Sequence, residues 1–207
     1  MSLSVDLRIV ELMAARLCHD LIGPVAAIGN GVELMAEEAP DFVGEAIALV
    51  GDSARKANKR LQFYRFAYGF SGGGLTGPPP HVLAVDFFAE SAIVCDYGAA
   101  ARILPLDQQK LACAMLAVAG EALPRGGRLA LEVEAAGQAI GLAVEAVGEG
   151  RGPSPEIRAA LQLGVPVGEL NSRAVGGYFA GLLGEALGWR LDVADRPGGF
   201  RLAAAAR

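Results

Sequence analysis

The feature that most constrains this chain is a spacing. Val43, Ile47, Val50, Ala54, Ala57, Leu61, Tyr64 and Tyr68 follow one another at intervals of 4, 3, 4, 3, 4, 3 and 4 residues. That is the heptad seam of a helix packed lengthwise against others. A second stripe precedes it. At ~100° per residue, Val10, Leu17, Leu21, Val25, Ile28, Val32 and Met35 fall within roughly 80° of one another. "EEAPD", residues 37–41, supplies the turn, with Pro40 near the second helix's start and Asp41 able to cap it. A two-helix hairpin cannot enclose its own seam. Either a second copy completes a four-helix bundle, or the rest of the chain covers the stripe. The homodimer is the first expectation, with Leu17, Leu21, Val25, Ile28, Val50, Ala57, Leu61 and Tyr64 in its seam.

The helical grammar stops at "SGGGLTGPPP", residues 71–80, where glycines and then prolines cannot continue a helix. The expected organisation is a hairpin over 1–70, a linker over 71–80 and an α/β domain over 81–207. "HVLAVDF" (81–87) reads as a strand, and "LDQQKLACAMLAVAGEAL" (106–123) as a helix capped by Asp107. "RLALEVEA" (128–135) and "AIGLAVEAVG" (139–148) read as paired strands across a Gly137 turn. "SRAVGGYFAGLLGEALG" (172–188) reads as a glycine-weakened helix. "WRLDVAD" and "GFRLAAAA" close as a hairpin around "RPGG". The fold class expected is α+β in two domains: a helical hairpin forming a dimeric four-helix bundle, then an α/β sandwich.

Composition narrows the function classes. Apolar residues make up 53% and charged residues 20%, with a net charge of -5. This is a globular chain, and a nucleic-acid partner is not expected. Cys18, Cys95 and Cys113 are scattered without a C-x-x-C, which argues against disulfides and zinc and fits a reducing compartment. No signal peptide opens the chain, and no apolar run reaches the ~18 residues of a spanning helix. A cytoplasmic protein without membrane contact is the expectation.

His19 is one of two histidines in the chain. It lies about 180° from Val10 and Ile28 on the helix, so it points away from the seam. Ala26 and Asn30 share its face. Pattern alone leaves two readings open. One is a solvated surface histidine. The other is a nucleophile, because Asp20 follows directly and can hold one ring proton while the other nitrogen stays free. Pro24 adds a second signal: it removes an N–H and displaces the carbonyl of Asp20, so the helix should bend just below His19. Zinc is poorly supported, since no ligand stands three or four residues away.

These residues carry a resemblance. "HDLIGPVAAI" resembles the phosphoacceptor box of two-component sensor histidine kinases, with His19, Asp20, Leu21, Pro24, Ala27 and Ile28 on the matching positions. The chain is more similar still to the ChpT-type histidine phosphotransferases, through "CHDLIGPVAAIGNGVELM", "LQFYRFAYG" and "EALPRGG". That resemblance implies a homodimer whose second domain is a degenerate kinase ATPase domain. It implies His19 as phosphoacceptor beside Asp20, passing phosphate between receiver-domain aspartates of a hybrid histidine kinase and of response regulators. The Mg²⁺ would belong to those receivers, with no cofactor or metal held by this chain.

Departures from the kinase pattern point the same way. "LACAMLAVAGEAL" lacks the asparagine that holds Mg²⁺, and Val147 in "VEAVGEGRG" stands where the adenine-binding aspartate would be. Gly148, Gly150 and Gly152 read as turns, and Gly176-Gly177 only echoes a nucleotide lid. Gly23 occupies the position, four after the histidine, where kinases with phosphatase activity carry Thr or Asn. For docking, "ARKANKRLQFYR" gathers Arg55, Lys59 and Arg65 among other cations, and Arg16 lies three residues before His19. A solvated cationic face with snorkelling stems is the first reading of that run, and a docking face the second. Two other functions stay open: a degenerate kinase that keeps nucleotide binding, and a non-catalytic module that binds response regulators.

Overall fold

The computed structural model describes residues 6–36, 43–69, 77–136, 139–150 and 152–206. The turn expected at 37–41, the Gly137 turn and most of the linker lie outside them. Helix α1 (Leu7–Ala36) runs for 30 residues and continues through Pro24. Helix α2 (Val43–Ala67) runs for 25 and returns beside it. Their backbones meet at Gly31. A Cβ there would lie 2.5 Å from Val50 Cγ2 and 3.2 Å from the Ala46 carbonyl oxygen, so only glycine permits the approach.

The expected seam is two faces, not one. Ala57 and Tyr64 are buried and Val50 half-buried, on the flank of α2 turned to α1. Val10, Val25, Val32, Ile47 and Leu61 remain 51–58% exposed. Leu17, Leu21 and Ile28 lie half-buried between the two. A stripe this wide on a helix has two flanks, and closing the hairpin covers one. The expectation that no segment suits a membrane span is corrected on length and composition. Among the described residues α1 alone passes that test, because Ala, Gly, Val and Leu dilute its few charges. Within this chain its inner flank packs on protein.

The second half also differs from expectation at its start. Residues 81–87 are helical, inside α3 (Pro80–Phe88). Pro80 takes the first helical position, where its fixed φ suits the helix and its missing N–H is no loss. The buried residues Pro80, Leu83, Ala84 and Phe88 then repeat with helical spacing. Strand β1 (Ile93–Tyr97), which the sequence reading did not assign, follows. Helix α4 (Leu106–Glu121) is buried continuously from Leu111 to Gly120. Its N-cap position is Pro105, with no side-chain cap; Asp107 lies in the first turn and accepts from the Gln108 N–H at 2.8 Å.

Strands β2 (Gly127–Ala136) and β3 (Ala139–Val147) pair antiparallel. Helix α5 (Pro155–Leu161), unassigned from sequence, is capped by the Ser154 hydroxyl accepting from the Ile157 N–H. Helix α6 (Val175–Ala186) and the hairpin β4 (Trp189–Arg196) with β5 (Gly199–Ala206) complete the chain. The sheet order is β1-β2-β3-β5-β4, parallel only at β1–β2. Leu129, Leu131, Leu142, Val144, Leu202 and Leu191 point into the core. On the opposite face Arg201 hydrogen-bonds Glu145 at 3.1 Å and pairs with Glu134, the alternation of a sheet covered on one side.

The two halves share packing. Phe63, Phe66 and Ala67 of α2 belong to the same buried cluster as Leu83, Leu111 and Leu131, and Phe63 stacks on Phe87 at 4.1 Å. At the same open end of the hairpin, Ile9 and Met13 of α1 pack with Ala160, Leu170, Ala174 and Val175, and Tyr68 touches both clusters. The second half therefore covers part of the helical stripe, while its outer flank stays open.

Candidate functional site

The site begins with a gap in a hydrogen-bond ladder. Pro24 has no N–H, so the Asp20 carbonyl loses its partner within the helix. Arg60 Nη1 donates to that oxygen at 2.7 Å from α2. One turn further along α2, the Tyr64 hydroxyl donates to Asp20 Oδ2 at 2.6 Å. Residues four apart share a helix face, which is why both reach one residue of α1. Burial first, then this hydrogen bond to the carboxylate, pushes the Tyr64 phenol well above its ordinary value, so it stays protonated and donates.

The other carboxylate oxygen, Oδ1, lies 3.4 Å from His19 Nδ1. An ionised carboxylate only accepts, so a proton shared between them sits on Nδ1, and Nε2 keeps its lone pair. The His19 side chain is 88% exposed, while that of Asp20 is 25% exposed. The arrangement is an open imidazole whose orienting carboxylate is anchored in the protein. Chemically it suits nucleophilic attack on an electrophile brought by a second molecule.

Arg16 is held inside the chain. It pairs with Glu121 at the end of α4 and donates to the Ser172 carbonyl at 3.2 Å. Its guanidinium lies over Gly176, where an added Cβ would sit 3.5 Å from Nη1. Burial raises the Glu121 carboxyl, and Arg16 pulls it back down. Arg16 thus ties the helix bearing His19 to both α4 and the start of α6. Beside it a cleft of about 670 Å³ opens between His19, Asp20 and Arg16 on one side and Ile157, Ser172 and Arg173 on the other.

The remaining expected residues are dispersed. Ala26 and Asn30 are exposed on the His19 face of α1. Arg55 pairs with Asp52 on its own helix, and Lys59 lies 3.4 Å from Glu90. Arg65 is exposed on the flank of α2 that carries Ile47 and Leu61. Tyr64, expected in the dimer seam, turns to Asp20 instead. The sequence reading missed Arg60 and Tyr64 as contacts of Asp20. Their signal was indirect: a donor was owed to the carbonyl that Pro24 displaces, and nothing in the spacing named it. Arg173 was likewise unmarked.

Among the described residues no group of three or more His, Cys, Asp or Glu is placed to hold a metal ion. Gly148 and Gly150 of the nucleotide-like segment pack against backbone, and Gly152 lies against the Arg158 and Phe200 side chains at a φ of +71°. A Cβ at Gly148 would lie 2.6 Å from the Gly126 carbonyl oxygen, and one at Gly150 would lie 2.4 Å from that of Ala122. Close chain contact accounts for them without a phosphate.

Comparison with known proteins bears on the same residues. Residues 81–198 match the model of the family "Histidine phosphotransferase C-terminal domain". The chain is 33% identical over 200 residues to "Protein phosphotransferase ChpT" of Brucella abortus (strain 2308), covering 93% of this chain and 94% of that protein. It also superposes on a solved structure described as "1.7 Angstrom Structure of a Bacterial Phosphotransferase", with TM-score 0.81 and 30% identity over 99% of this chain and 98% of that one. With a family model spanning more than half its length and relatives matched nearly end to end, this chain belongs to the histidine phosphotransferase family.

Proposed function

We propose that this protein relays a phosphoryl group through His19 between receiver-domain aspartates of two-component signalling proteins. The observation that carries the reading is the exposed imidazole of His19, tied through Nδ1 to an Asp20 that α2 holds. The donor is a phosphorylated receiver, in this reading that of a hybrid histidine kinase. The lone pair of Nε2 attacks phosphorus, the N–P bond forms, and the P–O bond to the donor aspartate breaks. The electron pair leaves with that carboxylate. The ring keeps its proton on Nδ1 and becomes cationic, and Asp20 balances the charge. Onward transfer to a response regulator reverses these bonds, and no proton has to move. Mg²⁺ on the receivers would supply the remaining charge stabilisation.

The cleft beside His19 offers the approach, and the exposed cations Arg55, Arg65 and Arg173, with the half-buried Lys59, suit an acidic receiver pocket. The second domain, over 81–207, acts in this reading as a degenerate kinase ATPase domain that binds no nucleotide and frames the docking surface. The open flank of Val25, Val32, Ile47 and Leu61 supports a homodimer built as a four-helix bundle. In this reading the protein works in the cytoplasm together with its receivers.

Reconstitution with two cognate receivers tests the proposal. Labelled phosphate should pass from the first receiver to the second only when the protein is present, and His19→Ala should abolish passage. Undiminished passage through His19→Ala would refute it. Receiver binding without passage by wild type would favour a non-catalytic module.

A further inference from the structure

Asp20 is gripped at two points by a single face of α2: Arg60 on the carbonyl that Pro24 leaves open, and Tyr64 on Oδ2. The grip leaves Oδ1 alone for His19. Both hydrogen bonds that anchor Asp20 come from α2, while on α1 its carboxylate meets the neighbouring His19 ring. Without a fixed acceptor at Nδ1 the ring is free to carry its proton on Nε2, which blocks the attacking lone pair.

We infer that Arg60 and Tyr64 are positioning residues for phosphoryl transfer, acting through Asp20 to set the tautomer and orientation of His19. The inference rests on the relay reading above and adds a mechanism for it. It also assigns a role to Pro24. A proline at this place costs the helix a hydrogen bond, and the vacancy is what lets a residue of α2 bind the backbone one residue from the nucleophile. Arg60 and Tyr64 then work as a pair, one fixing the backbone of Asp20 and the other its side chain. Tyr64 is 7% exposed and lies against Phe63, Tyr68 and Phe87, so its hydroxyl has little freedom to turn elsewhere.

The test reads the ring directly. The chain has two histidines, so ring-nitrogen NMR of labelled protein is simple to assign, with His19→Ala identifying the signals. In the free protein, neutral His19 should carry its proton on Nδ1. Tyr64→Phe should move the population toward Nε2–H. It should also slow transfer at saturating receiver about tenfold, the loss carried by one hydrogen bond to a charged group, with KM little changed. A folded Tyr64→Phe with the wild-type tautomer, or with an altered tautomer and undiminished transfer, would overturn the inference.

Arg60→Met, made in the wild-type and in the Pro24→Ala background, supplies a second arm. Alanine at position 24 returns an N–H to the Asp20 carbonyl, so the loss from Arg60→Met should be smaller there. Equal losses in both backgrounds would remove Arg60 from the account. The tautomer measurement needs no phosphoryl donor. If wild type takes no label the relay reading fails, and the NMR arm still decides whether Tyr64 sets the ring.

Discussion

Arg16→Met removes the tie between α1 and the second half while keeping most of the aliphatic stem. The Arg16 side chain is 13% exposed and that of Glu121 is 37% exposed, so the pair is neither a surface bridge nor fully dry. Two hydrogen bonds from a guanidinium are lost, to Glu121 and to the Ser172 carbonyl. Each is worth roughly 1.5–3 kcal/mol when buried. Glu121 is open enough to regain water, so the lower end applies, giving about 3 kcal/mol in all. For a chain of this length that is roughly 6–12 °C in Tm.

The loss should also depend on pH. Burial raises the Glu121 carboxyl above its ordinary 4.5, and Arg16 opposes the rise. A carboxyl raised on folding binds its proton more tightly in the folded state. Its contribution is therefore fully present below the unfolded value and is lost as pH rises through the folded one. Without Arg16 the folded value climbs further, so acid relieves the variant more than the wild type. Thermal melts by circular dichroism should show the full deficit near pH ~8 and a smaller one near pH ~5. A deficit under about 2 °C at both would show that the Arg16–Glu121 contact does not hold the hairpin to the second half.

Gly120→Ala would ordinarily favour a helix, but here the new Cβ would sit 2.5 Å from Phe88 Cε1 in the core, so a loss of about 1–3 kcal/mol is expected in urea unfolding. A gain in stability would contradict the packing of α3 on α4. Phe63→Ala empties a fully buried site stacked on Phe87 and should cost about 3–5 kcal/mol by the same assay. Leu61→Glu places a charge on the open flank of α2. Light scattering should show a dimeric mass for wild type and a monomeric one for the variant, and a monomeric wild type would refute the four-helix bundle.

What could be read from sequence followed the strength of each periodic signal. The seven evenly alternating intervals of α2 fixed a long helix, and a hairpin followed from it. Which flank would meet α1 was not legible, because Val50 and Leu61 look alike to a periodicity argument and differ only in what packs against them. Residues 81–87 alternate well enough for a strand. The deciding information was Pro80 at a helix start and the repeat 80, 83, 84, 88, which the strand reading did not weigh. Ser154-Pro155-Glu156 carried an ordinary helix-start signal that went unread. Strand β1 is short, sits at the sheet edge and contains Cys95 and Asp96, so little in its pattern marks it. At the site, His19, Asp20 and Pro24 stood out locally. Arg60 and Tyr64 lie about 40 residues away and became partners only through the return of α2.

The central claim is that His19 itself carries the phosphoryl group. Its most direct test is to stop the reaction of the full-length protein with a phosphorylated receiver before the second receiver is added, and to locate the phosphate by peptide mass spectrometry. The account predicts a base-stable, acid-labile phosphoramidate on the peptide containing His19, formed without ATP and lost when an acceptor receiver is supplied. Phosphate found on another residue, or on none while passage to the second receiver proceeds, would contradict it.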